Sequence, residues 1–202
     1  MEIVLVTFFS YLSGSLPFGL ILTKVFSGKD VRKIGSGNIG ATNVLRTGNK
    51  YLAASTLFLD ALKGYVPVLL TSYFFNEYIY ISALSSFLGH VFPIWLNFKG
   101  GKGVATYLGI LIAFSYILSI LFIFTWAILF LIFKYSSISS IFSTLTVFVT
   151  TFIRETAQKA NPEVISSIHL SYILFIFLIL IIFTHKKNII NLKNNTEPKI
   201  KL

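Results

Sequence analysis

Long apolar runs separated by short polar connections organise this chain, and their lengths predict membrane-crossing helices. The first run is Ile3 to Val25, with Gly14, Ser15, Pro17 and Gly19 near its middle. Only Glu2 precedes it, whereas a secretory signal peptide opens on basic residues. A retained span is therefore expected, its small residues allowing close helix packing. Tyr51 to Phe75 is apolar except for Asp60 and Lys63, and Tyr78 to Leu96 follows the Asn76-Glu77 connection. Val104 to Phe133 then holds thirty residues without a charge. A single helix of that length would measure about 45 Å against a hydrocarbon core of about 30 Å, so it is one strongly tilted helix or two short ones. Ile138 to Ile153 and Val164 to Thr184 supply the last runs, on either side of a charge-balanced connection from Arg154 to Glu163.

Basic residues collect in three of the polar segments. Six lie between Lys24 and Lys50, against the single acid Asp30. Lys99 and Lys102 belong to the connection from Asn97 to Gly103, and the tail from His185 carries Lys186, Lys187, Lys193, Lys199 and Lys201. The positive-inside tendency places all three in the cytoplasm. An even number of crossings must then separate the Lys102 connection from the tail. Splitting the thirty-residue run satisfies that parity, keeps Lys134 inside and leaves the Arg154 connection outside. The expected architecture is an all-α polytopic bundle of seven transmembrane helices, N-terminus outside and C-terminus cytoplasmic, forming one membrane-embedded domain over residues 1–202. The alternative is five spans, with a marginal segment lying in the interface.

Composition narrows the function. Hydrophobic residues make up 55% and charged residues 12% of the chain, too little polar surface for a water-soluble globule. Without cysteine there is neither a disulfide scaffold nor Cys-ligated zinc. A net charge of +10 would suggest nucleic acid in a soluble chain; beside a bilayer it sets topology, attracts anionic substrates or headgroups, or does both, and no nucleic-acid partner is expected.

The segment Gly35-Ser36-Gly37-Asn38-Ile39-Gly40-Ala41-Thr42-Asn43 contains a G-x-G-x-x-G, with Asp60 twenty residues beyond Gly40. A dinucleotide site would need a strand before it and a βαβ unit around it, whereas a transmembrane segment follows. The composition suits an anion by simpler means: glycines let backbone N–H groups converge, hydroxyl and amide side chains add donors, and Arg46 offers a planar fork matched to phosphate oxygens. A flexible juxtamembrane loop whose charges only set topology fits the same composition. Gly100-Gly101-Lys102-Gly103 repeats the chemistry, but lacks the Ser or Thr that a Walker A loop places after its lysine. Two such loops on one membrane face favour a phosphate site.

No His-x4-Asp pair, nucleophile elbow or metal-ligand spacing is present in the sequence. His169 reads as an interfacial residue near the outer end of the last span. His90, inside an apolar run, is either a helix-packing histidine or part of a site. Asp60 and Lys63, spaced i, i+3, share a helix face and form either a structural ion pair or a support for the site.

Ser13-Gly14-Ser15-Leu16-Pro17-Phe18-Gly19, Asp30-Val31-Arg32 and Gly35 to Arg46 resemble the first signature of the bacterial acyl-phosphate:glycerol-3-phosphate acyltransferases, the PlsY family. Gly89-His90-Val91-Phe92-Pro93 with Phe98 to Thr106 is similar to the second signature, and His185-Lys186-Lys187-Asn188-Ile189 with Thr196-Glu197-Pro198-Lys199 to the third. The third departs from the family at Asn191, where Arg is usual, and at Asn195, where Gly is usual. An arginine's phosphate contact is then lost or passes to Lys193 or Lys187, while Asn195 still suits a left-handed turn.

The resemblance implies a seven-helix enzyme of the bacterial inner membrane with its site at the cytoplasmic face. It would transfer a fatty acyl group from acyl phosphate to the 1-hydroxyl of glycerol 3-phosphate, without cofactor or metal, at the start of phospholipid synthesis. Membrane lipids and an enzyme producing acyl phosphate are the implied partners. Ser36 and Asn38 would bond a phosphate or the developing oxyanion, and Arg46 and Lys102 would hold phosphates. Gly35, Gly37, Gly40, Thr42, Asn43, Gly100, Gly101 and Gly103 would line the phosphate sites. His185 and Asn188 would orient glycerol 3-phosphate, Glu197 would anchor the tail, and Asp60 with Lys63 would lend structural support. No base stands beside Ser36 in any visible pattern, which disfavours an acyl-enzyme. A transporter of a phosphate-bearing solute is the alternative, but no internal repeat of the kind transporters use is visible.

Overall fold

A computed structural model describes residues 1–159 and 170–200, and every regular element among them is helical. The first apolar run forms two helices, α1 (Glu2–Ser15) and α2 (Phe18–Ser27). They part where Leu16 turns extended and Pro17 has no N–H to continue the ladder. The basic segment that follows is mostly irregular and ends in the short α3 (Ala41–Leu45). Asn49 caps α4 (Lys50–Phe74), its side chain accepting from the Leu52 N–H, and α5 (Ile79–Val91) follows.

The thirty-residue run does break in two. Ser115, in extended backbone, separates α6 (Val104–Phe114) from α7 (Tyr116–Phe133). Helices α8 (Ser136–Lys159), α9 (Leu170–Thr184) and α10 (Lys186–Lys193) complete the described chain. Five segments are long and apolar enough to cross a membrane: Glu2–Ser27, Lys50–Phe74, Asn76–Leu96, Tyr116–Phe133 and Ser136–Ala157. The pair α9–α10, bent by 57°, would make a sixth if counted as one span. Helix α6 is shorter, with 11 residues. It rises about 16 Å, roughly half the hydrocarbon thickness. His169 and the part of the Arg154 connection beyond residue 159 lie outside the described residues.

The chain divides into two compact units, Met1–Tyr116 and Ile117–Leu202. In the first, glycines bring helix backbones into direct contact. A methyl on Gly14 would overlap the Ser86 carbonyl, one on Gly89 the Tyr11 carbonyl, and one on Gly109 the Ala61 carbonyl. These glycines let α1 pack on α5, and α4 on α6, at small-residue seams of the kind that hold membrane helices together. In the second unit, Phe148 of α8 packs on Phe175 of α9 with ring centroids 5.3 Å apart, and Trp126 donates to the Ser140 hydroxyl at 3.1 Å.

Candidate active site

Beneath the first loop lies a small apolar core of Leu20, Val31, Ile39, Val44, Leu52 and Ala53. Above it, Asn43 organises the loop. Its side-chain amide donates to the carbonyls of Val31 and Ile34, each at 2.9 Å, and of Asn38 at 2.7 Å. Its Oδ1 accepts from the Ser36 N–H at 3.0 Å. Expected as a phosphate contact, Asn43 is instead buried, with both ends of its amide used in shaping the loop. Gly35 and Gly37 take left-handed φ of 54° and 73°, which turns the chain sharply on each side of Ser36. The Arg46 side chain lies across Gly35, where a Cβ would stand. Ser36 and Arg46 are both exposed, so a hydroxyl and a guanidinium flank the same turn.

The remaining groups of this loop have local partners. Asn38 Oδ1 accepts from the Gly40 N–H at 2.9 Å, and Thr42 lies in the first turn of α3. Arg32 chelates Asp30 through Nε at 3.0 Å and Nη2 at 2.6 Å. Those hydrogen bonds hold the Asp30 carboxyl well below the usual carboxylate range. Gly19 of α2 backs directly against the Ile39 carbonyl, which fixes the loop to the first span.

The second loop is tied to the end of α5. The Gly100 N–H donates to the Val91 carbonyl at 3.0 Å and the Gly101 N–H to the His90 carbonyl at 3.1 Å. Both amides, expected to face phosphate, are thus engaged by α5, and the two glycines serve close approach: a Cβ on Gly101 would overlap the His90 ring. Asn97 and Phe98 both have positive φ, 51° and 60°. For an aromatic residue that is strained backbone, of a kind concentrated at functional sites. Gly103, at φ 81°, sits against the Phe87 ring and starts α6, whose first-turn N–H groups have no carbonyl within the helix. Lys102 stands half-buried between these glycines. Leu96 packs on the core under the first loop, and Trp95 donates to the Ser15 hydroxyl at 2.8 Å. The turn leading into the second loop is therefore seated on the first.

Lys63 and Asp60 form a buried ion pair, Nζ to Oδ1 at 2.7 Å. The third motif lies in the second unit. His185 is buried, its Nδ1 2.7 Å from the Ile181 carbonyl. That contact places the ring proton on Nδ1 when the imidazole is neutral, leaving Nε2 as the acceptor. Asn188, one helical turn on, donates to Glu197 Oε1 at 2.5 Å, Ser137 donates to the same oxygen at 3.4 Å, and Asn191 donates to Oε2 at 3.3 Å. Asn195 adopts φ 57°, the left-handed turn expected of it. The sequence marks Asn191 only as a departure from the expected arginine; its contact with Glu197 carries no sequence signal.

A sequence profile of the glycerol-3-phosphate acyltransferase family matches residues 4–195. The glycerol-3-phosphate acyltransferase of Pelagibacter ubique is 50% identical over 202 residues, covering 100% of both chains. That of Mesorhizobium japonicum is 46% identical over 199 residues, covering 98% of this chain and 96% of its own. A crystal structure of PlsY, described as an integral membrane glycerol 3-phosphate acyltransferase and captured in its glycerol 3-phosphate form, superposes with a TM-score of 0.89 at 33% identity, over 100% of this chain and 96% of that one. The lysophosphatidic acid form superposes with a TM-score of 0.87 at the same identity. With the signature loops, the apolar helices and the full-length matches in agreement, this integral membrane chain belongs to the glycerol-3-phosphate acyltransferase family.

Proposed function

We propose that the protein transfers a fatty acyl group from acyl phosphate to the 1-hydroxyl of glycerol 3-phosphate, giving 1-acyl-glycerol 3-phosphate and phosphate. The observation that carries this reading is the turn at Gly35 to Gly37, where exposed Ser36 stands beside Arg46 on a loop shaped by Asn43. Two similar PlsY structures, a glycerol 3-phosphate form and a lysophosphatidic acid form, bracket acyl addition and support the acceptor and product. Acyl phosphate is a mixed anhydride whose leaving group is already a stable anion, which suits a site without a visible general base.

In the proposed step, the acceptor oxygen attacks the acyl carbon, forming the ester C–O bond as the acyl C–O bond to phosphorus breaks. The electron pair leaves with phosphate, and the hydroxyl proton passes to a phosphate oxygen. Ser36 and Asn38 bond the developing oxyanion or the donor phosphate, and Arg46 and Lys102 neutralise the phosphates. His185 and Asn188 orient the acceptor, with Glu197 anchoring the tail that holds Asn188. The protein thus supplies position and charge.

In this proposal residues 1–202 make a single acyltransferase domain, and the chain crosses the bacterial inner membrane seven times. In this reading the short α6 counts as one of the seven crossings, and the three signature motifs face the cytoplasm. An enzyme that makes acyl phosphate supplies the donor. A donor comparison tests the reading: turnover with acyl phosphate should exceed turnover with acyl-CoA by orders of magnitude, because a thiolate leaves less readily and brings no phosphate to accept the proton. Equal rates would overturn the donor assignment.

A further inference from the structure

Three neighbouring buried ionisable side chains of the first unit take no part in the reaction as proposed. Asp60, Lys63 and His90 are 1%, 4% and 3% exposed, and together they trace a line across the first unit. At one end, Lys63 Nζ donates to the Leu16 carbonyl at 2.6 Å, at the break between α1 and α2, and lies 5.7 Å from the centre of the Phe18 ring. Its carboxylate partner, Asp60 Oδ1, lies 3.9 Å from His90 Nδ1, which has no hydrogen-bond partner. At the other end, the opposite edge of the His90 ring fills the space a Gly101 side chain would need. The His90 carbonyl holds the Gly101 N–H as well. Lys102 is the next residue.

We propose that Asp60, Lys63 and His90 form a buried strut that sets the second glycine loop relative to the break in the first span, making them positioning residues for Lys102. The proposal deepens the functional reading and rests on Lys102 as a phosphate ligand. Stability alone is a poor reason to keep such a group, because well-packed apolar residues often replace a buried ion pair at no cost. Apolar side chains do not supply a directed bond to the Leu16 carbonyl or a charged face toward His90. The strut also reaches the first loop indirectly: Leu16 lies just before Gly19, which backs against Ile39. Gly101 is then required to be glycine because the ring occupies its side-chain space.

The test uses the doubly neutral variant Asp60→Leu/Lys63→Met, which removes both charges together. It should insert and unfold thermally like the parent. Its kcat/KM should fall by about a hundredfold, the effect of misplacing a reacting group by about 1 Å, mostly through KM for a phosphate-bearing substrate. Because the chain has no cysteine, Lys102→Cys in each background reports the loop without reference to activity. Thiol labelling at 102 should be faster in the doubly neutral background, while labelling of a Lys29→Cys control stays unchanged. Should the double variant fail to fold, His90→Ala carries both measurements, with the same results expected. Parental kinetics together with parental labelling at 102 in a folded variant would overturn the strut, as would equal acceleration at 29 and 102. If the parent protein makes no lysophosphatidic acid, the functional reading fails while the labelling still decides the strut.

Discussion

Asn191 turns its side-chain amide toward Glu197, Nδ2 to Oε2 at 3.3 Å, at the position where the resemblance leads one to expect arginine. An arginine there would face the same carboxylate, so the expected effect of the departure is a weaker anchoring of the tail. Asn191→Arg should therefore raise stability by about 0.5–1 kcal/mol, the range of a partly exposed ion pair, and leave KM for both substrates unchanged. Thermal unfolding and steady-state kinetics of the purified variant check this. A large fall in KM would show that the position faces substrate.

Asn43 should be among the least replaceable residues of the first loop. Asn43→Asp keeps the size but removes both donors and sets a negative charge against the Val31, Ile34 and Asn38 carbonyls. The Val31 and Ile34 carbonyls each keep a backbone N–H donor, but the Asn38 carbonyl loses its partner and all three face the new charge; an unsatisfied carbonyl costs about 1–3 kcal/mol. Limited proteolysis should cut Asn43→Asp between residues 29 and 46 far faster than the parent, with Asn43→Ala between them, and activity should fall in the same order.

Arg46 and Lys24 separate two kinds of positive charge. Arg46→Lys keeps the net charge but loses the planar fork laid over Gly35. Losing a charge-assisted bond to developing charge costs about 2.7–4 kcal/mol of barrier, about a hundred- to a thousand-fold in turnover. Lys24→Ala, at the exposed end of α2, should retain most activity. Assays at equal amounts of folded, membrane-inserted protein decide; the reverse pattern would place the site elsewhere.

The proposed orientation rests on the Lys/Arg excess of the signature segments. Single cysteines at Ser36, Lys102 and Asn188 should resist an impermeant thiol reagent in intact cells and label once the cytoplasmic face is opened. Outside labelling at any of the three would reverse the topology and dismantle the proposed site together.

Much of this fold was legible because charge and length are coarse signals. The break near the middle of Val104 to Phe133 was anticipated from bilayer thickness and charge parity, and Ser115 supplies it. What sequence could not reveal is which polar groups are already spent. Gly100 and Gly101 look like phosphate-cradling residues, yet their N–H groups end the α5 helix. Asn43 looks like a ligand and is a loop tie, because a side-chain amide satisfies backbone carbonyls as readily as it binds phosphate. The contact of His90 was equally hidden, since only the fold lays its ring on Gly101.

Acyl transfer from acyl phosphate is tested most directly by product formation with the purified protein in detergent, given acyl phosphate, glycerol 3-phosphate and excess chelator. The expected products are 1-acyl-glycerol 3-phosphate and inorganic phosphate in equal amounts, at a rate unaffected by the chelator and abolished when glycerol 3-phosphate is left out. Phosphate release without acylated product, or product formed only when a divalent metal is restored, would contradict it.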